Sequence, residues 1–251
     1  MAVEFEKSAT QKTGEAIASS IRHRVATGDL KVGDRLPTEE ELTESLGIAR
    51  TTLREALRIL ESQGLIAIKR GRGGGATVTM PDVNRLAEPL AVMLQLRATR
   101  VIDLDEARFL IEPQLAAWLA KSHSEEDLAA LRDVVADASR AADNCDHDAF
   151  GDAAARLHAT IIERSGNNTL SLISQLLHRL VVDRYISGAR DSDQALMRRA
   201  VRSYWKLVAL IADGEADQAR DHWQKQMSWV STVSAERLLD IYEGALPPRP
   251  T

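Results

Sequence analysis

One cysteine in 251 residues, Cys145, leaves the chain without an internal disulfide. It sits in the polar stretch 143–148 and reads as an inert thiol rather than a redox sensor. No apolar run approaches the roughly 18 residues that a membrane span needs, so no membrane partner is expected. The first fifteen residues, MAVEFEKSATQKTGE, are acidic and polar and do not read as a signal peptide, which points to the cytoplasm. The glycine tract at 71–75 fits the spacing of a dinucleotide fingerprint, but the chain runs on into TVTMP, where that fingerprint requires a helix. No Lys-Ser or Lys-Thr pair follows the glycines, so a P-loop fails as well. With no nucleophile–base pair and no metal triad in view, neither an enzyme nor a bound cofactor is expected.

What is present has the composition of a soluble globular protein, 44% hydrophobic and 27% charged, and a length suited to two domains. The formal charge of −5 hides a local field of the opposite sign. Between residues 45 and 75, six basic side chains (Arg50, Arg54, Arg58, Lys69, Arg70, Arg72) stand against only Glu55 and Glu61.

That basic segment has a recognisable organisation. Ile17, Ile21 and Val25 recur every fourth residue, which predicts an amphipathic helix over 10–26 ended by Gly28. Thr38 and Glu41 form a capping box that opens a short second helix, and Gly47 closes it. A third helix over 50–63 turns Leu53, Leu57 and Leu60 inward and stops at Gly64. Two helices joined by a short glycine turn make a helix-turn-helix. The β-forming residues 65–69, the turn RGRGGGA and the extended residues 77–79 add a two-stranded wing. Pro81 marks a boundary, with Asp82 capping a linker helix through Leu96. Helical periodicity then predicts helices over 104–120, 125–142, 150–165, 170–187, 194–212 and 216–242, followed by a proline-rich tail after Gly244. The expected fold is mainly α, a winged helix-turn-helix at 1–80, a linker at 81–100, a bundle of six to seven helices at 101–243 and a tail at 244–251.

The segment LPTEEELTESLGIARTTLREALRILESQGLIAIKRGRGGGATV resembles, in order and spacing, the DNA-binding domain of the GntR family of bacterial regulators. The runs DEARFLIEPQLAAWLA, LHATIIERSGNNTL and LVALIADGEADQAR resemble the ligand-binding domain of its FadR subfamily. The resemblance implies a dimeric transcriptional regulator, expected to be a repressor, that binds a palindromic double-stranded DNA operator and responds to a small-molecule effector. An architectural or effector-independent DNA binder is the alternative. By the resemblance, Arg50, Thr51 and Arg54 contact the operator, and Arg70 and Gly71 enter the minor groove. Arg50 and Arg54, one turn apart near a helix N-terminus, suit guanine edges or their flanking phosphates. Thr51 and Thr52 suit phosphate at the helix N-terminus, and Lys69 and Arg72 suit sequence-independent phosphate contacts. Arg58 reads as an ion-pair partner of Glu55 or Glu61. Two departures stand out: Glu40 replaces a DNA-contacting arginine of the FadR relative, and Ala49 replaces the usual Ser or Thr cap.

Many domains of the FadR type hold a divalent metal with one Asp and three His. Those positions fall here on Ala154, His158, Tyr204 and Gln226, so no metal is expected. His158 reads either as a buried hydrogen-bonding residue or as part of a rearranged site with Asp152 and His222. The pocket candidates are Arg108, His158, Tyr204 and Gln226, with Trp205 beside them. Trp118, Trp223 and Trp229 read as core. Arg108 either grips an effector carboxylate or phosphate or pairs with Glu112 four residues on. A carboxylate, or an acyl-coenzyme A as in the metal-free relative, is the effector class that the resemblance implies.

Overall fold

A computed structural model of the chain describes residues 9–69, 71, 74–190 and 192–231. Arg70, Arg72, the side chain of Trp229 and the expected tail after Gly244 lie outside the described residues. The contacts divide the chain between Arg85 and Leu86 into two compact units.

In the first unit, α1 (Ala9–Ala26), α2 (Glu39–Leu46) and α3 (Arg50–Ser62) precede an antiparallel hairpin of β1 (Ile66–Lys69) and β2 (Gly75–Val78). Local chemistry accounts for the breaks. The Thr38 hydroxyl accepts from the Glu41 N–H while the Glu41 carboxylate accepts from the Thr38 N–H, so the capping box is complete. Gly47 ends α2 in the left-handed conformation at φ 61°. The core is Ala18, Ile21, Leu36, Leu53, Ala56, Leu57, Leu60, Ile66, Ala76 and Val78. Thr52 precedes Leu53 by one residue and Ala56 by four, so helical geometry turns it onto the same face, and it is 7% exposed. At the wing, Arg35 donates from Nη2 to the Gly74 carbonyl at 2.7 Å, and a Cβ on Gly74 would lie 2.1 Å from the Lys69 carbonyl oxygen. Only glycine fits at that point of the turn.

Helix α4 (Val83–Leu96) begins where the Asp82 carboxylate accepts from the Asn84 N–H. The second unit then builds on α5 (Val101–Ser122), α6 (Glu125–Asp143), α7 (His147–Arg164), α8 (Asn168–Arg179), α9 (Asp183–Arg190), α10 (Gln194–Ala212) and α11 (Ala216–Ser231). Ser124, Asp146, Asn167 and Asp193 each cap a helix through the side chain. Leu115, Leu119, Leu131, Leu157, Ile161, Leu207 and Trp223 are fully buried at the centre.

One expected helix is two. The periodicity over 170–187 continues through residues 180–182, but there the N–H of Leu180 bonds to Leu177 O and that of Val181 to His178 O, a tightening into three-residue spacing. Val181 is 1% exposed and packs with Leu104, so burial of that side chain overrides the local pattern. The break turns both His178 on α8 and Tyr185 on α9 toward His158. The stretch expected as helix to residue 242 is described to Ser231, and the remainder lies outside the described residues.

Ala49 has the extended backbone of an N-cap (φ −69°, ψ 145°) and supplies no side-chain bond. Ala49→Ser is expected to stabilise the first unit by about 1 kcal/mol, read as a shift in its urea midpoint without a change in m-value.

Candidate DNA-reading face and effector site

The outer face of α3 carries the first candidate site. Arg50, Thr51 and Arg54 are exposed at its N-terminal end, where backbone N–H groups lack helical partners and favour phosphate. The two arginines are not bare. Arg54 Nε donates to Glu39 Oε2 at 3.0 Å, and Arg50 Nη2 lies 3.6 Å from Glu40 Oε1. Both pairs are solvent-exposed, so each contributes at most about 1 kcal/mol and yields readily to a stronger anion. Thr52 departs from expectation: its side chain faces the core, so the reading of Thr52 as a phosphate contact is corrected. Arg58 is also corrected, since it forms no ion pair with Glu55 or Glu61. Lys69 is exposed at the end of β1, and Gly71 is exposed at φ 99° with open space around its Cα. Of the eight residues read from the sequence toward DNA, Arg70 and Arg72 lie outside the described residues.

The second candidate site is a charged cluster inside the helical unit. Arg108 on α5 is 6% exposed, and its Nε donates to Glu112 Oε1 at 2.6 Å. Its Nη1 lies 3.6 Å from Asp105 Oδ1, and its Nη2 donates to the Tyr185 hydroxyl. His158 on α7 donates from Nδ1 to Glu112 Oε2 at 2.6 Å. Arginine cannot accept a hydrogen bond, so the carboxylate locates the proton on Nδ1, and the 3.3 Å approach of Arg108 Nη2 to that atom is contact rather than a bond. Of the two readings of Arg108, the ion pair to Glu112 is therefore made. An effector anion at Arg108 would have to displace a carboxylate already there.

Burial raises the Glu112 carboxyl, but Arg108 and His158 outweigh it and bring it down to about 2. Burial holds the His158 imidazole below its ordinary value despite Glu112, and holds His178 down near 3, helped by the neighbouring His158 and Arg108. The Tyr185 phenol is pushed up, first by burial. Around His158 the rings of Trp223, Tyr185 and His178 lie at 4.6, 5.0 and 6.2 Å between centroids, and Tyr204 lies 6.3 Å from Trp223. Arg108, His158 and Tyr204 thus share one region, and Gln226 follows Trp223 by three residues on α11. Trp205 instead lines a surface groove with Arg198 and Arg202. His178 and Tyr185 had no signal in the sequence, because they come from two helices on either side of the turn at 180–182.

The residues do not fit the divalent metal that the resemblance associates with such domains. His158 Nδ1 serves Glu112, His222 Nε2 is taken by Ser203 at 3.0 Å, and Asp152 accepts from Arg156 at 2.9 Å on the surface. Among the described residues no three His, Cys, Asp or Glu side chains converge on one point.

A recognition helix beside a glycine-turned hairpin, with a helical unit that encloses a polar interior, defines a class: DNA-binding transcriptional regulators with a sensor domain. Residues 13–75 match the model for bacterial regulatory proteins of the gntR family, and residues 103–228 match that for the FCD domain. The uncharacterized HTH-type transcriptional regulator YcbG of Bacillus subtilis (strain 168) is 34% identical over 219 residues, spanning 85% of this chain and 86% of that protein. The galactonate operon transcriptional repressor of Escherichia coli (strain K12) is 28% identical over 233 residues, spanning 90% and 97%. A solved Streptococcus agalactiae GntR has the same fold, with a TM-score of 0.60 at 22% identity over 88% of this chain and 98% of that one. The chain belongs to the GntR family of transcriptional regulators, with an FCD domain as its second part. The family and these relatives are regulators, not enzymes.

Two outcomes follow from the buried cluster. Because His158 and His178 titrate below 6.5 in the folded chain, the unfolded chain takes up protons first as pH falls. Stability is then full above pH 6.5 and declines below it, by up to about 1.4 kcal/mol per pH unit for each histidine. The lowered Glu112 carboxyl adds a loss below 4.5. Urea titrations followed by tryptophan fluorescence at several pH values would show this slope, and His178→Phe would reduce it. Separately, Glu112→Gln leaves a buried guanidinium short of its main counter-charge and is expected to cost about 3 kcal/mol at neutral pH, measured in the same way.

Proposed function

We propose that this GntR-family regulator is a cytoplasmic homodimer that represses transcription by placing α3 of each protomer in the major groove of a palindromic operator, and that a small molecule bound in the helical unit weakens that complex. The observation that carries the DNA-binding reading is the division of α3 into two faces. Thr52, Leu53, Ala56, Leu57 and Leu60 are buried, whereas Arg50, Thr51 and Arg54 stand free of the core at the helix N-terminus. Guanine O6 and N7 accept two hydrogen bonds from one arginine, which suits Arg50 and Arg54 as base readers. Thr51 then meets phosphate. Lys69 and Gly71, with Arg70 and Arg72 beyond the described residues, approach the backbone and minor groove from the wing.

Glu39 and Glu40 add a competitor. In the free protein their carboxylates occupy the arginines that DNA must recruit, so any duplex offering only phosphates has to displace them. Operator and random DNA both meet that cost, and the guanine contacts are what an operator adds. A two-fold operator matches a two-fold protein, since each half-site meets an identical head. Effector binding would favour a spacing of the two heads that no longer fits the half-sites, with a coupling of about 1 to 3 kcal/mol.

Capture of sheared genomic DNA at physiological salt, followed by sequencing, is expected to enrich a short palindrome, and uniform recovery would refute specific binding. On that palindrome, Arg50→Ala should cost about 1 to 3 kcal/mol and relax one base position, whereas Lys69→Ala should weaken operator and random DNA alike. Glu40→Gln should tighten operator and random DNA alike, by at most about 1 kcal/mol. Equal losses on both DNAs for Arg50→Ala would remove its base-reading role.

A further inference from the structure

Helix α3 carries three arginines, and the third is placed differently from the first two. Arg54 is paired with Glu39 and Arg50 lies beside Glu40, both carboxylates coming from the first turn of α2. Arg58 is exposed, and among the described residues its guanidinium makes no ion pair and no hydrogen bond. The acids nearest to it in sequence do not reach it. Glu55 packs against α1, where a Cβ on Gly14 would stand 3.3 Å from its Cβ and Cγ, and Glu61 is half-buried.

An unpaired guanidinium on a surface is by itself an ordinary solvated charge. Its position on the helix gives it a use. Thr52, Leu53, Ala56, Leu57 and Leu60 define the buried direction of α3. At about 100° per residue, Thr51 and Arg58 fall within about 15° of the opposite direction, with Arg54 about 50° and Arg50 about 90° away from it. Thr51, Arg54 and Arg58 are all exposed, so they form one outward strip with Arg58 near its middle line. A duplex that meets the outer face of α3 therefore meets Arg58.

Distance along the axis decides what it meets there. Arg58 stands about 6 Å beyond Arg54 and about 12 Å beyond Arg50. A recognition helix touches base edges with its N-terminal residues, and the major groove is about 12 Å wide. A side chain displaced by that width from the first base-reading position has passed the base edges and faces the sugar–phosphate wall.

We infer that Arg58 is a further DNA contact, a phosphate clamp that holds the groove wall through its charge and reads no base. The inference rests on the reading of α3 as the helix that enters the major groove, and adds a residue to that face. With no carboxylate to displace, Arg58 engages phosphate without the competition that Arg50 and Arg54 meet. Its contribution is the same on operator and random DNA.

The test follows the full chain by fluorescence anisotropy on two labelled duplexes of equal length, the captured operator and a scrambled sequence, between about 50 and 200 mM salt. Arg58→Gln is expected to weaken both by the same factor and to flatten the plot of log K against log salt by about 0.9 on each. The advantage of the parent chain then shrinks about three- to fourfold across that range. Arg58→Lys should restore affinity and slope, because a phosphate clamp needs a point charge and not the planar fork that pairs with guanine. Arginine, lysine and glutamine have similar helix propensities, so neither variant should shift the melting temperature. Lys206→Gln, which removes an exposed cation from α10, should leave the slope unchanged. Unaltered affinity and slope for Arg58→Gln, or equal flattening by Lys206→Gln, would overturn the inference. So would a loss confined to the operator that lysine does not restore, since that is the behaviour of a base reader. A parent chain with no salt-dependent affinity for either duplex refutes the DNA-reading face and this inference with it, whereas a parent that binds while Arg58→Gln is silent refutes only the clamp.

Discussion

The helical unit is organised around a buried guanidinium. Arg108 cannot lose its charge, so a fold that encloses it must bring carboxylates with it, and Glu112 and Asp105 do so from the same helix. Glu112 then has a second oxygen to satisfy, which His158 does from α7 at 2.6 Å, and the remaining guanidinium donor goes to Tyr185 on α9. One charge thereby ties three helices together.

The DNA-reading unit follows a different logic, since among its described residues no charged side chain is buried. Its core is apolar, and Arg50 and Arg54 are exposed and paired with exposed Glu40 and Glu39. Ion pairs of this kind contribute little stability and exchange readily. Tight turns do the positioning instead. Gly47 in the left-handed conformation sets the entry to α3, and Gly74, which has no room for a Cβ, shapes the wing.

Much of this was legible in the chain. The capping box at Thr38, the stop at Gly47, the inward Leu53, Leu57 and Leu60 and the exposed Arg50, Thr51 and Arg54 all follow from spacing along single helices. The pairing of Arg108 with Glu112 was one of two readings that their separation by one turn left open, and the structure makes it. Position at a helix N-terminus does not by itself turn a side chain outward: a helix rotates each residue by about 100°, which puts Thr52 on the buried face beside Leu53 and Ala56. Arg58 was misread because a favourable spacing on a helix permits an ion pair without requiring one in water.

The sequence by itself determined the elements, their caps and the two kinds of unit, because those depend on periodicity and on interactions within a few residues. Only the tertiary structure decided which polar side chains share the interior. The turn at 180–182 exists because Val181 is worth more buried against Leu104 than exposed on a continuous helix, and that turn sets His178 and Tyr185 beside His158. Side chains from α5, α7, α8, α9 and α11 surround His158, and no local pattern encodes a meeting between segments that only packing brings together.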